Sequence, residues 1–129
     1  MLLSLSIGMI RVLERIREVT YFAPDIDAYG AWLTRVLGAR EVLRYPDFIQ
    51  LMIGPELVTL HPSDEKGQAG PGGQVVYWLV SDIATVVTCF EHNGGRRFRG
   101  PVTGVDGPRV AQVQDPWGNV WGLVEERAT

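Results

Sequence analysis

Apolar residues recur at helical spacing in two separate segments of the chain, and each segment begins just after an aspartate. The first stripe follows Asp25 and comprises Ile26, Tyr29, Leu33, Val36 and Leu37. The second follows Asp82 and comprises Ile83, Val86, Val87 and Phe90. Aspartate is a favoured helix N-cap and glycine a favoured stop, so Gly38 and Asn93-Gly94-Gly95 mark the two ends. The pattern predicts two amphipathic helices of similar length.

Shorter runs with alternating apolar and polar positions follow each helix, and they predict β-strands. The predicted strands are residues 40–45, 48–53 and 57–61 in the first half and 97–99, 109–114 and 120–125 in the second. Along residues 48–53, for example, Ile49 and Leu51 share one face while Gln50 lies on the other. One sheet face is therefore expected to pack under the helices, and the other to carry mixed polarity.

The two halves are a tandem repeat, because residues 19–26 align with residues 76–83 and the same offset pairs Gly38 with Gly95. Each copy predicts a strand, a helix and three further strands. We therefore predict one α+β domain of two βαβββ modules that form a curved mixed sheet around a concave cleft. The expected boundaries are residues 16–61 for the first half, 62–73 for a linker and 74–126 for the second half, within a single domain over 16–129.

Composition and charge limit the possible partners. Hydrophobic residues make up 46% of the chain and charged residues 21%, which is typical of a globular domain. The net charge is −3, so a nucleic-acid partner is not expected, because phosphate binding needs a dense basic surface. Cys89 is the only cysteine, which excludes an internal disulfide and favours a cytoplasmic location.

Residues 1–15 are predicted to be an N-terminal extension. Apolar residues recur there at helical spacing, namely Leu2, Leu5, Met9, Val12 or Leu13, and Ile16. The segment lacks the basic start and the cleavage site of a signal peptide, and its apolar run is shorter than the ~20 residues that cross a membrane. We expect an amphipathic helix that packs on the domain or on a partner; a true start at Met9 is the alternative.

Two motifs carry a resemblance to a known superfamily. The first is Asp25-Ile26-Asp27 followed by Trp32-Leu33-Thr34-Arg35-Val36-Leu37-Gly38, and the second is Asp115-Pro116-Trp117-Gly118-Asn119 at a turn between strands. Over roughly residues 16–126 the chain resembles the vicinal oxygen chelate superfamily, which includes glyoxalases, bleomycin resistance proteins and extradiol dioxygenases. The resemblance implies the βαβββ fold and a homodimer in which both chains line the pocket.

The resemblance also places the positions at which metal enzymes of this superfamily hold a divalent ion. They fall on Glu18, Thr59, Val75 and Gly122 here, and only Glu18 has a good ligand side chain. Such an ion needs three or more protein donors to replace its water shell. We therefore expect no metal and no cofactor. The alternative is an irregular site of Glu18, His61 and Gln74, which requires two register shifts.

The polar sheet face supplies candidate ligand-binding residues. They are Gln50, Thr59, His61, Tyr77, Gln112, Gln114, Trp117 and Gly122. Glycine at position 122 is expected to enlarge the cavity, and Tyr77 is the best single candidate for ligand contact. Arg97 and Arg99 are expected on one strand face, where they could meet an anionic ligand or remain solvated. The face as a whole could instead be solvated or buried in a dimer.

The leading hypothesis is a metal-independent binding protein that sequesters a drug-like molecule or secondary metabolite. The first alternative is a lyase, isomerase or dioxygenase-like enzyme of the same fold, with an irregular metal site or with His61 or Glu56 as acid or base. A lone histidine at a strand end is more often structural. The second alternative is a structural or regulatory dimer. Neither a membrane nor a nucleic acid is an expected partner.

Overall fold

A computed structural model describes residues 12–104 and 107–126 of the chain. The elements in chain order are β1 (Val19–Ala23), α1 (Ile26–Leu37), β2 (Arg40–Tyr45), β3 (Phe48–Ile53), β4 (Glu56–Pro62), β5 (Tyr77–Leu79), α2 (Ile83–His92), β6 (Arg96–Thr103), β7 (Arg109–Gln114) and β8 (Val120–Glu125). This order is βαβββ twice. The predicted tandem architecture is confirmed.

The strands form two four-stranded sheets with the same topology. The orders are β1-β4-β3-β2 and β5-β8-β7-β6, so the first strand of each module lies at an edge. In both modules this first strand pairs in parallel with the last, and the other pairs are antiparallel. The described strands therefore make two hydrogen-bonded sheets where the sequence suggested a single curved one.

Both helices begin and end where the sequence predicts. The Asp25 carboxylate accepts a hydrogen bond from the Ala28 amide at 3.1 Å, and the Asp82 carboxylate accepts one from the Thr85 hydroxyl at 2.9 Å. Gly38 ends α1 with a φ of 69°, a conformation that a residue with a side chain rarely adopts. The predicted apolar stripes face inward, with their members buried or partly buried.

Aromatic side chains join the two modules into one core. Tyr21 from β1 stacks on Trp121 from β8, with ring centroids 4.5 Å apart and planes 13° apart. Trp32 of α1 meets Phe90 of α2 edge to face at 5.6 Å, and its indole donates to the Asn93 carbonyl at 2.8 Å. Such ring pairs stabilise a core beyond the area they bury. The modules are therefore held together by direct packing as well as by the linker.

The turn between β7 and β8 is organised by one buried carboxylate. Asp115 accepts hydrogen bonds from the Tyr29 hydroxyl at 2.5 Å, the Trp121 indole at 2.9 Å, and the amides of Trp117 and Asn119 at 3.0 and 3.1 Å. Burial raises the pKa of Asp115, against the effect of these donors. Because Tyr29 lies on α1, the Asp115 carboxylate ties the second module to the first.

Asn119 extends the same connection to the linker. Its side-chain amide donates to the Phe22 carbonyl at 2.9 Å and to the Tyr29 hydroxyl at 3.1 Å. Its side-chain oxygen accepts from the Gly70 amide at 2.9 Å. The Asp and Asn of the motif that carries the family resemblance therefore have a structural role.

The predicted N-terminal helix does not extend into the described residues. Val12, Leu13 and Ile16 lie outside any helix, and Leu13 is 88% exposed. A short amphipathic stretch that packs against nothing lacks the burial that stabilises a helix. Residues 1–11 lie outside the described part.

No helix in residues 12–104 or 107–126 is long and apolar enough to cross a membrane.

Candidate functional site

A cleft of about 760 Å³ lies between the β1 edge of the first sheet, the segment over residues 66–76 and the open face of the second sheet. Thr20 and Phe22 of β1 form one wall. Tyr77 of β5, Arg99 of β6 and Gln112 of β7 form the opposite wall. The cleft therefore combines residues from both modules.

The Tyr77 ring covers Gly122 on the second wall. The two residues are partners on the parallel strands β5 and β8, and an ideal Cβ at position 122 would lie 2.7 Å from Cγ of Tyr77. The Gln112 side-chain amide donates to the Tyr77 hydroxyl at 2.9 Å. The expectation that Gly122 enlarges the cavity is corrected, because the Tyr77 ring occupies the space that a side chain there would take.

Three of the predicted polar residues form a separate chain of hydrogen bonds on the first sheet. The Thr59 hydroxyl donates to the Glu18 carboxylate and accepts from the Gln50 amide, the latter at 3.2 Å. Glu18 also pairs with Arg17. The three side chains lie together as their register predicts, but they do not line the 760 Å³ cleft.

His61 and Glu56, the candidate acid and base, lie at opposite ends of β4. His61 Nδ1 is 2.9 Å from the Pro62 carbonyl oxygen, and its ring meets Phe22 edge to face at 5.5 Å. Glu56 is exposed at the start of the strand. Five residues of extended strand separate their Cα atoms by about 17 Å. The two candidates therefore occupy different places, and neither lines the 760 Å³ cleft.

Gln114 and Trp117 lie away from the cleft. Gln114 accepts from the Arg96 guanidinium at 2.7 Å and donates to the Gly118 carbonyl at 2.8 Å, so its polar atoms are already paired. Trp117 packs on Tyr29 and Trp32, with centroid distances of 4.9 and 6.1 Å. Gln114 keeps the register of Gln112 on β7 but is held by Arg96 and the Gly118 carbonyl, and Trp117 packs against α1, so neither lines the cleft.

The two arginines predicted to share a strand face are separated. The register of β6 against β7 shifts between Arg97 and Arg99. The Arg97 guanidinium consequently lies on the side of α2, 3.9 Å from the Glu91 carboxylate. Arg99 lines the cleft beside Gln112, its partner on β7. A β-bulge of this kind re-aims side chains and leaves little trace in an alternating pattern.

The segment over residues 66–76 contributes a wall that the sequence did not predict. Asp64 starts it with a tight turn, accepting from the amides of Lys66 and Gly67 at 2.8 and 2.7 Å. These backbone hydrogen bonds lower the pKa of Asp64. Gly67 lies so close to Phe22 that a Cβ there would be 2.4 Å from the ring. Asp followed by Gly three residues on is a turn signal that could have indicated this folding.

The four positions expected to hold a divalent ion do not fit one. Glu18 is hydrogen-bonded to Thr59, Gly122 lies under the Tyr77 ring, and Val75 has an apolar side chain. Throughout residues 12–104 and 107–126, no three His, Cys, Asp or Glu side chains converge. The donor set falls short of the three protein ligands that such an ion needs.

Comparisons with known proteins agree with this fold. A sequence model of the Glyoxalase/Bleomycin resistance protein/Dioxygenase superfamily matches residues 15–123. No curated protein sequence matches the chain. Among solved structures, a member of the same superfamily from Sphaerobacter thermophilus has a TM-score of 0.72 at 19% identity, covering 88% of this chain and 98% of its own.

Two further solved structures share this fold. TioX from Micromonospora sp. ML1 has a TM-score of 0.69 at 23% identity, with 88% of this chain and 100% of its own covered. Lactoylglutathione lyase from Agrobacterium tumefaciens has a TM-score of 0.68 at 22% identity, with 89% and 96% covered. At these identities the likeness concerns the fold alone. With the match over residues 15–123, the chain belongs to the glyoxalase/bleomycin resistance protein/dioxygenase superfamily.

Proposed function

We propose that this protein binds a small organic molecule in the cleft between its modules without using a metal ion, and sequesters a drug-like compound or secondary metabolite. The observation that carries the proposal is the Tyr77 ring over Gly122. Where a fourth metal ligand is expected, the chain presents an aromatic surface.

The size and lining of the cleft support this function. A volume of about 760 Å³ lies within the range of small-molecule sites. The rings of Tyr77 and Phe98 offer stacking surfaces, and the Gln112 amide lies on the same wall as Tyr77. Rings with a few fixed polar groups hold an organic ligand in one orientation.

Metal-dependent chemistry has little support from the residues on either sheet face. The one carboxylate at an expected ligand position, Glu18, accepts a hydrogen bond from Thr59. Neither His61 nor Glu56, each a candidate acid or base, lines the cleft. Binding requires only complementarity, which the cleft supplies.

A homodimer is part of the proposal, because some apolar side chains of the second sheet are exposed to solvent in the single chain. Leu79 is 66% exposed on the same face of β5 as Tyr77, and Val102 on β6 is also exposed. β5 and β6 are the two edges of the second sheet, and exposed apolar side chains at sheet edges are available for contact with another chain. Leu79→Glu is expected to shift a dimer toward monomer in analytical ultracentrifugation; a wild-type monomer would contradict the dimer and leave the cleft proposal intact.

Native mass spectrometry and calorimetry with a panel of aromatic metabolites test the binding function. We expect a one-to-one complex whose ligand is recovered unchanged. Tyr77→Ala should weaken binding about tenfold because it removes the stacking surface. Tyr45→Ala, which removes a tyrosine that is 52% exposed on the other sheet, should not. Chemical conversion of a bound compound, or equal effects of the two variants, would overturn the proposal.

A further inference from the structure

The charged side chains that line the cleft all carry the same sign. Lys66, from the segment between the modules, and Arg99, from β6, line it, and none of its lining residues is an aspartate or glutamate. The chain as a whole has a net charge of −3. A cleft lined by cations on a net-acidic protein attracts anions, because like-signed charges on low-dielectric walls focus the field.

Among the described residues, Arg99 differs from the other arginines of β6 because no side chain pairs with its guanidinium. Arg96 donates to Gln114, and Arg97 lies 3.9 Å from the Glu91 carboxylate. Within the described part of the chain, Arg99 has no carboxylate within 4.0 Å. The bulge in β6 directs Arg99 into the cleft and leaves Arg97 on the helix side.

The cationic and aromatic groups lie on one continuous wall. Arg99 is the register partner of Gln112, and Gln112 donates to the hydroxyl of Tyr77 at 2.9 Å. Phe98 precedes Arg99 and lines the same cleft. A planar ring resting on Tyr77 would therefore place a substituent toward the Arg99 guanidinium, whose planar fork binds a carboxylate or similar oxyanion through two hydrogen bonds.

From this arrangement we infer that the ligand is an aromatic anion, a planar ring that carries a carboxylate or another oxyanion, with the ring at Tyr77 and the negative group at Arg99. The inference rests on the proposed binding function and specifies its ligand class. Lys66, from the segment over residues 66–76, adds a second positive charge, which strengthens the preference for anions without fixing the ligand's orientation.

Three ligands with the same naphthalene ring test the inference by calorimetric titration: naphthoate, naphthamide and naphthylmethylammonium. Naphthoate should bind about tenfold more tightly than the amide, and the ammonium most weakly. Arg99→Gln should lower the naphthoate affinity about tenfold, close to that of the amide for the wild type, and should lower the amide affinity by a smaller factor because the amide carbonyl carries no charge. Arg97→Gln removes the same charge from the same strand outside the cleft and should alter neither.

Different failures of this experiment have different meanings. Equal affinity for naphthoate and naphthamide, or equal effects of Arg97→Gln and Arg99→Gln, overturns the ligand class while binding in the cleft stands. The same holds if none of the three binds but a neutral or cationic compound from the aromatic panel does. If neither these ligands nor any panel compound binds, both the ligand class and the proposed function are wrong.

Discussion

Gly122 lies directly under the ring of Tyr77, its partner on the neighbouring parallel strand, and an ideal Cβ at position 122 would stand 2.7 Å from Cγ of that ring. Cγ is fixed close to the backbone, so a small rotation of the ring cannot relieve the contact. A side chain at position 122 and the observed position of Tyr77 therefore exclude each other. The absence of a carboxylate at position 122 is therefore what allows the Tyr77 ring to form the wall of the cleft.

Gly122→Ala should destabilise the protein because the Tyr77 ring must move. Overpacking of this kind costs about 1–3 kcal/mol. We expect the loss in urea unfolding, and we expect most of it to vanish in a Tyr77→Ala background, where the ring is absent.

Gly72→Ala is the matched control, because a Cβ at position 72 meets nothing within 4 Å. It should change the free energy of unfolding by no more than about 0.5 kcal/mol. An equal cost of Gly122→Ala with and without the Tyr77 ring would contradict the proposed coupling.

Asp115→Asn tests the carboxylate that joins the modules. The substitution keeps the size of the side chain but turns one acceptor oxygen into a donor, which then faces the hydroxyl of Tyr29, the indole of Trp121 or backbone amides. A buried mismatch of this kind costs about 2–4 kcal/mol, measurable as a lower urea midpoint.

The control for Asp115→Asn is Asp25→Asn. Asp25 caps α1 through one hydrogen bond to the Ala28 amide, and asparagine caps a helix about as well. Asp25→Asn should be nearly neutral. If the two substitutions had the same effect, Asp115 would not have the role assigned to it.

The fold followed from the sequence because each of its determinants is local. Asp25 and Asp82 cap the N-termini of their helices by accepting hydrogen bonds from the amides three residues later. Gly38 ends α1 in the left-handed conformation. Strand alternation then assigned Ile49 and Leu51 to the core, where both are buried. Local signals repeated at one offset were enough to predict two βαβββ modules.

The site was only partly predictable, because its geometry depends on contacts between distant residues. Alternation placed Tyr77 and Gln112 on the same face, and they are hydrogen-bonded. No local signal shows that the Tyr77 ring covers Gly122, or that a bulge separates Arg97 from Arg99. The fold of the segment over residues 66–76 depends on Asn119, which is far away in sequence.

The burial of Tyr21 can be tested by measuring the free energy of unfolding as a function of pH. Burial raises the pKa of Tyr21 from 10.0 to about 12, against the opposing effect of the nearby Trp78 indole, and the hydroxyl makes no hydrogen bond of ordinary geometry among the described residues. Above pH 10 the unfolded chain therefore loses a proton that the folded chain keeps until about pH 12. The free energy of unfolding is therefore unaffected by this group below pH 10. Between pH 10 and 12 it should fall by about 2–3 kcal/mol, because only the unfolded chain gains from losing the proton.

Tyr21→Phe should remove this part of the alkaline loss, while the part due to Tyr29, whose pKa burial also raises, remains. At neutral pH the substitution should leave stability unchanged or raise it by up to about 1 kcal/mol, since a buried hydroxyl without an ordinary hydrogen bond is removed. Urea unfolding across the alkaline range measures both effects. Tyr45→Phe, at an exposed position, serves as the control and should follow the wild type. Parallel curves for Tyr21→Phe and the wild type would contradict the assigned burial of the phenol.

Calorimetric titration of naphthoate into protein dialysed against a chelator tests the central claim most directly, because the claim joins ligand binding to independence from metal. We expect the affinity to be the same before and after chelation, and to remain the same when Zn²⁺, Ni²⁺ or Mn²⁺ is added back. Loss of binding on chelation, restored by about one divalent ion per chain, would contradict the account.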